Sequence, residues 1–439
     1  MTKHFLKRLS TTYNWLMANK RVLIYSQTFA PDHSGISIYA SDYAFYCAEN
    51  GYDVDVITGF PFYPQWQKRK EDEGKLFATE VINNVTVHRG YLYVPHNPSA
   101  FQRIMHEVSL TFFAMINSFR VKRPDVIVVF TTPVLLGVLA AFMNLFWRRK
   151  LVINVQDFQV EAAYSLGMLK GSAMLKVINA LELWSYKKAD YVSSISGSML
   201  DLLRDRKKLP DSKILFWPNW THNDEKTFVK PAAGLFRKKF NFAPSTKLIG
   251  YAGNVGKKQG LDILLDTAVE FAHVPDVQFL IIGEGADLER LKAYAAEKSI
   301  RNVQFMPFLN SSEYLEFLAD VDAVFISQVK VPFDIYFPSK LLGIMAMRQL
   351  LIVNADAKSE LYKTTKKNDI ALVSDYGDMA TLKKYVSMVI TNDPVIEDYK
   401  SEAEKFVVQF GREVVLSNIA QVLLDEPVSA PRVAEVVNQ

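Results

Sequence analysis

Residues 248–268 read LIGYAGNVGKKQGLDILLDTA, a spacing that suits phosphate chemistry. An apolar strand over 248–252 runs into a loop with Gly253, Gly256 and Gly260, which carries Lys257 and Lys258 and opens into an amphipathic helix. Backbone N–H groups and the positive end of a helix converge at such a junction, which suits an anion. A second candidate is YFPSKLLGIMAM at 336–347: Pro338 fits a first helical turn, and Ser339 and Lys340 offer a hydroxyl, backbone donors and a cation. Taken alone it is an ordinary helix start. Together with the glycine loop it suggests a diphosphate held from two sides. In the first half, SQTFAPDHSGISIYASDYA places Ser34 and Gly35 where backbone could approach a ligand, although a plain structural turn accounts for one glycine equally well.

Other chemistries find little support. Asp53 and Asp55, and Asp320 and Asp322, have Asp-x-Asp spacing, but the first pair alternates along a strand pattern and the second sits where helix meets strand, so structural roles are the better reading. The seven histidines form no His-Glu-x-x-His pattern, Cys47 has no second cysteine to share a zinc site, and no Gly-x-Ser-x-Gly elbow occurs. No metal is expected.

The elements that would carry these residues alternate strand and helix in both halves, which predicts α/β layers with largely parallel sheets. Strands are expected at 21–26, 53–58, 85–90, 125–130, 151–156 and 191–196, and again at 247–253, 277–283, 303–308, 323–327 and 350–355. Prolines and polar residues between 217 and 234 interrupt the pattern and mark a boundary. The expected organisation is a basic amphipathic segment at 1–20, domains at 21–222 and 223–400, a C-terminal helix at 401–425 that could return to the first domain, and a flexible tail at 426–439. Residues 126–147 carry no charge over about a bilayer's span. They nevertheless read as the β-branched strand VIVVF followed by a helix, with Thr132 as N-cap and Pro133 at the first helical position.

At 439 residues, with 49% hydrophobic content, the chain can bury two cores. A net charge of +4 is weak for a nucleic-acid binder of this size. Local charge says more: Lys3, Lys7, Arg8, Lys20 and Arg21 all precede the first acidic residue, Asp32, while Phe5, Leu6, Leu9, Tyr13, Leu16 and Met17 recur at roughly helical spacing. That segment fits an anionic membrane surface, or a helix packed on its own protein. A single cysteine rules out an intramolecular disulfide, and residues 1–20 lack a signal-peptide core, so a cytoplasmic location is expected, with peripheral membrane contact.

Seven stretches in order, TGFPFYP, GYLYVPHNPSAFQR, NVQDFQVEAAYSLGML, LFWPNW, GNVGKKQGL, IIGEGADLERL and FPSKLLGIMA, resemble the family 4 retaining glycosyltransferases, and more narrowly the WcaI-type branch associated with colanic acid and related exopolysaccharides. The resemblance runs from about residue 21 to 425. It implies a GT-B fold: two Rossmann-like domains with parallel sheets facing across a cleft, the acceptor held mainly by the first and a GDP- or UDP-sugar donor mainly by the second. Carried over by motif, it puts Gly253, Asn254 and Lys258 at the diphosphate, with Ser339, Lys340 and Leu341 across from them. Glu284 and Phe308 would lie on the nucleoside side, Gly35 near the phosphate and reacting sugar, and Asp157 at the donor sugar. The chain departs from the wider family where paired glutamates are common, with Ile335 and Gly343 in their places, the latter at the ribose. It departs again at Asn254 and Gln259, where arginine and lysine are usual.

The mechanism implied is metal-independent. As the bond to the nucleotide breaks, Lys258, Lys340 and loop N–H groups would stabilise the charge gathering on the diphosphate, and the acceptor hydroxyl would attack from the same face. Asp157 would orient the sugar or steady its positive charge. The apolar, basic-flanked stretch at 101–123 fits a polyprenyl-diphosphate-linked acceptor as well as ordinary helix packing. Two other readings share the fold: a sugar-nucleotide 2-epimerase, which needs no acceptor, and a non-catalytic binding partner.

Overall fold

The computed structural model describes residues 20–32, 35–63, 66–95, 99–161, 173–221, 230–330 and 340–424. Residues 1–19 of the amphipathic segment and the tail inferred from sequence therefore lie outside the described residues, as do Ser34, Ser339 and Ile335. The chain divides into one unit of residues 1–219 with 415–439, and a second of residues 220–414.

The first unit is built on an eight-stranded sheet: β1 (Arg21–Ser26), β2 (Asp53–Gly59), β3 (Phe77–Ile82), β4 (Val85–Gly90), β5 (Val126–Thr131), β6 (Lys150–Val155), β7 (Tyr191–Ser194) and β8 (Ile214–Phe216). Their order is β3-β4-β2-β1-β5-β6-β7-β8, parallel throughout except for the β3–β4 hairpin. The order turns back on itself between β1 and β5, where such sheets bind ligands beyond their strand ends. Every residue of β5 is buried, as expected for a central parallel strand covered on both faces.

The charge-free stretch is this strand followed by the helix Val134–Trp147. Among the described residues no helix is long and apolar enough to cross a membrane. The helix starts one residue later than expected: Pro133 is extended and serves as N-cap, and the Gln159 side chain takes the Val134 N–H at 3.3 Å in place of a Thr132 cap. Cys47 is buried on the helix Ile36–Glu49, its thiol pushed up to about 12 by burial.

The second unit carries six parallel strands: β9 (Lys247–Ala252), β10 (Val277–Ile282), β11 (Val303–Met306), β12 (Ala323–Gln328), β13 (Leu351–Ala355) and β14 (Leu372–Asp375). The order β11-β10-β9-β12-β13-β14 puts its reversal between β9 and β12. Each face of the sheet has its own core, one around Leu280, Phe317 and Leu341, the other around Tyr251, Phe279 and Phe325. Gly250 lets the helix Ser311–Asp320 pack close: a Cβ there would stand 2.7 Å from the Phe317 ring.

Three strands escape the sequence pattern. β3 is a mostly exposed edge whose turn, Asn83-Asn84, has positive φ at both residues, while β8 and β14 are only three and four residues long. The C-terminal helical run breaks at Gly411 into Val395–Val407 and Arg412–Leu424. In the latter, the Leu423 carbonyl accepts the Lys150 ammonium at 2.9 Å and the Leu424 carbonyl accepts that of Lys20, cations at a helix C-terminus where the backbone dipole favours them.

Candidate functional site

In the second unit the glycine loop leaves β9 at the topological switch. It is zipped to the loop after β10 by backbone bonds: Gly253 N–H to Ile282 O at 2.9 Å, Val255 N–H to Glu284 O at 2.7 Å and Asp287 N–H to Val255 O at 3.1 Å. Gly283 (φ 132°) and Gly285 (φ 158°) permit the approach, since a Cβ on either would collide with the Gly253 or Val255 carbonyl. Gly253 therefore brings closeness rather than its own N–H. Gln259 accepts the Gly256 N–H at 3.2 Å and caps the 3-10 turn Lys257–Gln259, a structural use for the residue that replaces the lysine the resemblance implies there.

Lys340 opens the helix Lys340–Ala346 and reaches the same loop. Its ammonium donates to the Ala252 carbonyl at 3.1 Å, lies 4.0 Å from the centre of the Tyr251 ring, and is 3.2 Å from where a Cβ on Gly253 would be. The two motifs recognised in sequence thus meet at one point. Burial pushes the Lys340 amine down to about 7. The Tyr251 hydroxyl donates to the Asn254 carbonyl at 2.6 Å, which fixes the ring beneath the cation. Tyr251 was passed over in sequence because its neighbours read as a buried strand. Lys258 is exposed, and its carbonyl accepts the Val329 N–H at 3.1 Å, tying the loop to the end of β12.

The other inferred residues fall as follows. Glu284 is exposed in the zipped loop, and Phe308, beyond β11, is 70% exposed. Leu341 is a core side chain, so only its backbone could serve a ligand. A Cβ on Gly343 would meet nothing within 4 Å. Gly343→Glu should therefore fold and, as a glycine replaced inside a helix, gain about 0.5–1 kcal/mol in chemical denaturation. Asp320 and Asp322 give their oxygens to protein donors: Gly234 and Arg237 for the first, and Arg237, Lys247 and the Leu248 N–H for the second.

In the first unit Gly35 (φ 62°) caps the helix Ile36–Glu49, with Tyr63 3.9 Å from where its Cβ would be. Asp157 is exposed just beyond β6. Sequence reasoning missed Asp32, whose carboxyl is pushed up to about 6 by burial against the opposing pull of Phe62 and Tyr63 backbone donors and of Arg89 and Arg69; among the described residues its buried Oδ2 finds no hydrogen-bond partner. It also missed His106 on the helix Ala100–Ser118, 1% exposed. The Tyr93 carbonyl, 2.5 Å away, requires a proton on Nδ1, and Gln27 donates to Nε2 at 2.7 Å. Burial and Lys68 lower its pKa, which keeps the ring neutral. No sequence pattern marks either residue, because their burial depends on strands and loops far apart in the chain.

Residues 34–220 match the Glycosyl transferase 4-like domain, and residues 234–406 match Glycosyl transferases group 1. The chain is 30% identical over 348 residues, 78% of its length and 84% of the relative's, to the putative colanic acid biosynthesis glycosyl transferase WcaI of Escherichia coli (strain K12). Among solved structures it is similar to the sucrose-phosphate synthase of Thermosynechococcus elongatus, with a TM-score of 0.67, 16% identity and coverage of 92% of this chain and 98% of the other. It is also similar to Anabaena Alr3699/HepE in complex with UDP-glucose, with a TM-score of 0.65, 13% identity and the same coverage. At those identities the likeness is one of fold.

Proposed function

The chain belongs to the group 1 glycosyl transferases with a 4-like N-terminal domain, and from that premise we propose that it is a retaining, metal-independent enzyme of surface polysaccharide assembly, passing a sugar from a nucleotide-sugar to a polyprenyl-diphosphate-linked glycan at a cytoplasmic membrane face. The observation that carries the donor half is the Lys340 ammonium seated against Ala252 and Gly253. The Anabaena relative's complex with UDP-glucose and the colanic acid relative support the donor class and the polysaccharide product respectively.

In this reading the diphosphate lies against the glycine loop, where Lys340 and Lys258 stabilise the charge that grows on it as the glycosidic bond breaks. Two ammonium groups supply the electrostatics a divalent ion would otherwise provide. The acceptor hydroxyl attacks the anomeric carbon on the face the diphosphate leaves, and its proton passes to the departing phosphate oxygen. Asp157 orients the sugar.

Lys258→Ala is the direct test. Removing this cation should lower kcat by about ten- to a hundredfold on a nucleotide-sugar that the wild type turns over. Unchanged turnover would remove Lys258 from the diphosphate. If the ribose lies over Gly343, Gly343→Glu should in addition tighten nucleoside diphosphate binding severalfold by calorimetry.

A further inference from the structure

The first unit presents an apolar surface that no part of the donor chemistry uses. The helices Ala100–Ser118, Val134–Trp147 and Ala173–Lys188 lie side by side, the second between the other two. Their outward faces expose Met105, Val108 and Phe112 on the first, Phe142 and Phe146 on the second and Val177 on the third, with Phe146 at 66% exposure. Between them runs a groove of about 420 Å³, lined by Thr111, Leu135, Val138, Phe142, Leu181 and Trp184 among others. Scattered apolar residues are ordinary on a surface, but a contiguous patch over three helices marks an interaction face.

Charge decides the partner. The acidic side chains on these three helices are Glu107 and Glu182. Glu182 is buried and paired with Lys207, and Glu107 is half-buried, held by Gln159 at 3.3 Å. Exposed cations are more numerous: Arg103, Lys176, Lys187 and Lys188 on the helices, and Arg120 and Arg148 just past their ends, where exposed Asp190 accepts the Leu151 N–H at 2.8 Å. Apolar helix faces that also carry exposed cations complement a layer of anionic headgroups over hydrocarbon. A second copy of the chain would set like charges against each other.

We propose that this three-helix face docks on an anionic lipid bilayer, with the groove seating hydrocarbon from it. The proposal deepens the reading of a membrane-borne acceptor and rests on that reading for its purpose, while its geometry is independent of the donor site. The phenylalanines supply buried area and the cations supply attraction that salt weakens.

The test is flotation of the full chain with vesicles of phosphatidylcholine containing about one third phosphatidylglycerol, against phosphatidylcholine alone. The wild type should float with the anionic vesicles. Phe112→Ser with Phe142→Ser and Phe146→Ser should cut that partitioning about tenfold or more, given the apolar area each ring would bury. The thermal shift that UDP-glucose produces should remain. Should the triple variant misfold, Lys187→Glu with Lys188→Glu, on exposed positions, should weaken binding to the anionic vesicles and leave the thermal shift intact. Flotation equal to wild type by both variants, or loss of flotation only on deletion of residues 1–19, would overturn the proposal. So would a wild type that stays off vesicles and sediments as a dimer which the phenylalanine variant dissociates, since the face would then be a protein interface. Flotation without any response to a nucleotide-sugar would sink the transferase reading and leave the surface standing.

Discussion

Gly283→Ala is expected to destabilise the second unit by roughly 3 kcal/mol or more, through strain and a collision that neither partner can relieve. The residue sits at φ 132°, and an added methyl would lie inside the contact distance of the Gly253 carbonyl, which is backbone and cannot rotate away. The Gly253 N–H to Ile282 O bond belongs to the same crossing, so pushing the loops apart costs a buried hydrogen bond as well. For a unit of this size the loss corresponds to a fall in melting temperature of about 6–12 °C. Because the phosphate loop would move with it, nucleotide-sugar affinity should fall by about tenfold or more. Gly377→Ala is the control: φ is also positive, at 90°, but nothing lies within 4 Å of the added carbon. It should cost about 1 kcal/mol, the backbone strain alone. Equal melting temperatures for the two variants, read by calorimetry, would show that the crossing yields.

The comparison of those glycines shows where sequence reasoning stops. Gly253, Gly256 and Gly260 are legible because they interrupt an apolar strand next to lysines, a local signal. Gly283 and Gly285 look similar in sequence, yet their constraint comes from a loop some thirty residues upstream. The same holds for charge. Lys340 was picked out for its place after FPS, but its depressed basicity arises from burial near Ala252 and Tyr251, across 88 positions of chain. β3 was missed although the Asn83-Asn84 turn announces a hairpin, because an exposed edge strand carries no apolar alternation. Asp32 appears in the quoted FAPDHSG as one more polar loop residue. Only the packed fold buries its carboxyl, with backbone of the loop after β2 and the Arg89 side chain nearby. Long buried strands and glycine loops are written locally, whereas burial and close approach belong to the assembled sheet.

The largest functional effect is expected at Lys340, and its sign depends on pH. In the free protein the amine titrates near 7, because burial disfavours the charged form. A bound diphosphate reverses the preference, since an opposite charge nearby favours the ammonium and raises its pKa. Below pH 7 the site is charged before the ligand arrives, and affinity should be flat. Above pH 7 the amine must take up a proton on binding, so affinity should fall by up to about tenfold per pH unit until the pKa of the complex is reached. UDP-glucose is the suitable probe because its diphosphate holds a constant charge in that window; calorimetry at about pH 8 in buffers of different ionisation enthalpy should count close to one proton taken up. Lys340→Met should abolish both the uptake and the pH dependence and lower kcat by about a hundred- to a thousandfold. Stability of the free protein should move the other way. Between about pH 7 and 10.5 the unfolded chain holds this proton and the folded one releases it, so the wild type gains stability as pH rises through that range. Below pH 7 it carries the full cost of burying the ammonium. Lys340→Met, which has no charge to bury, should therefore gain most in melting temperature relative to wild type at about pH 6 and lose that advantage toward pH 10. A variant that is both less active and more heat-resistant at low pH identifies a cation held under strain for its ligand; one that is equally less stable at every pH identifies a structural lysine instead.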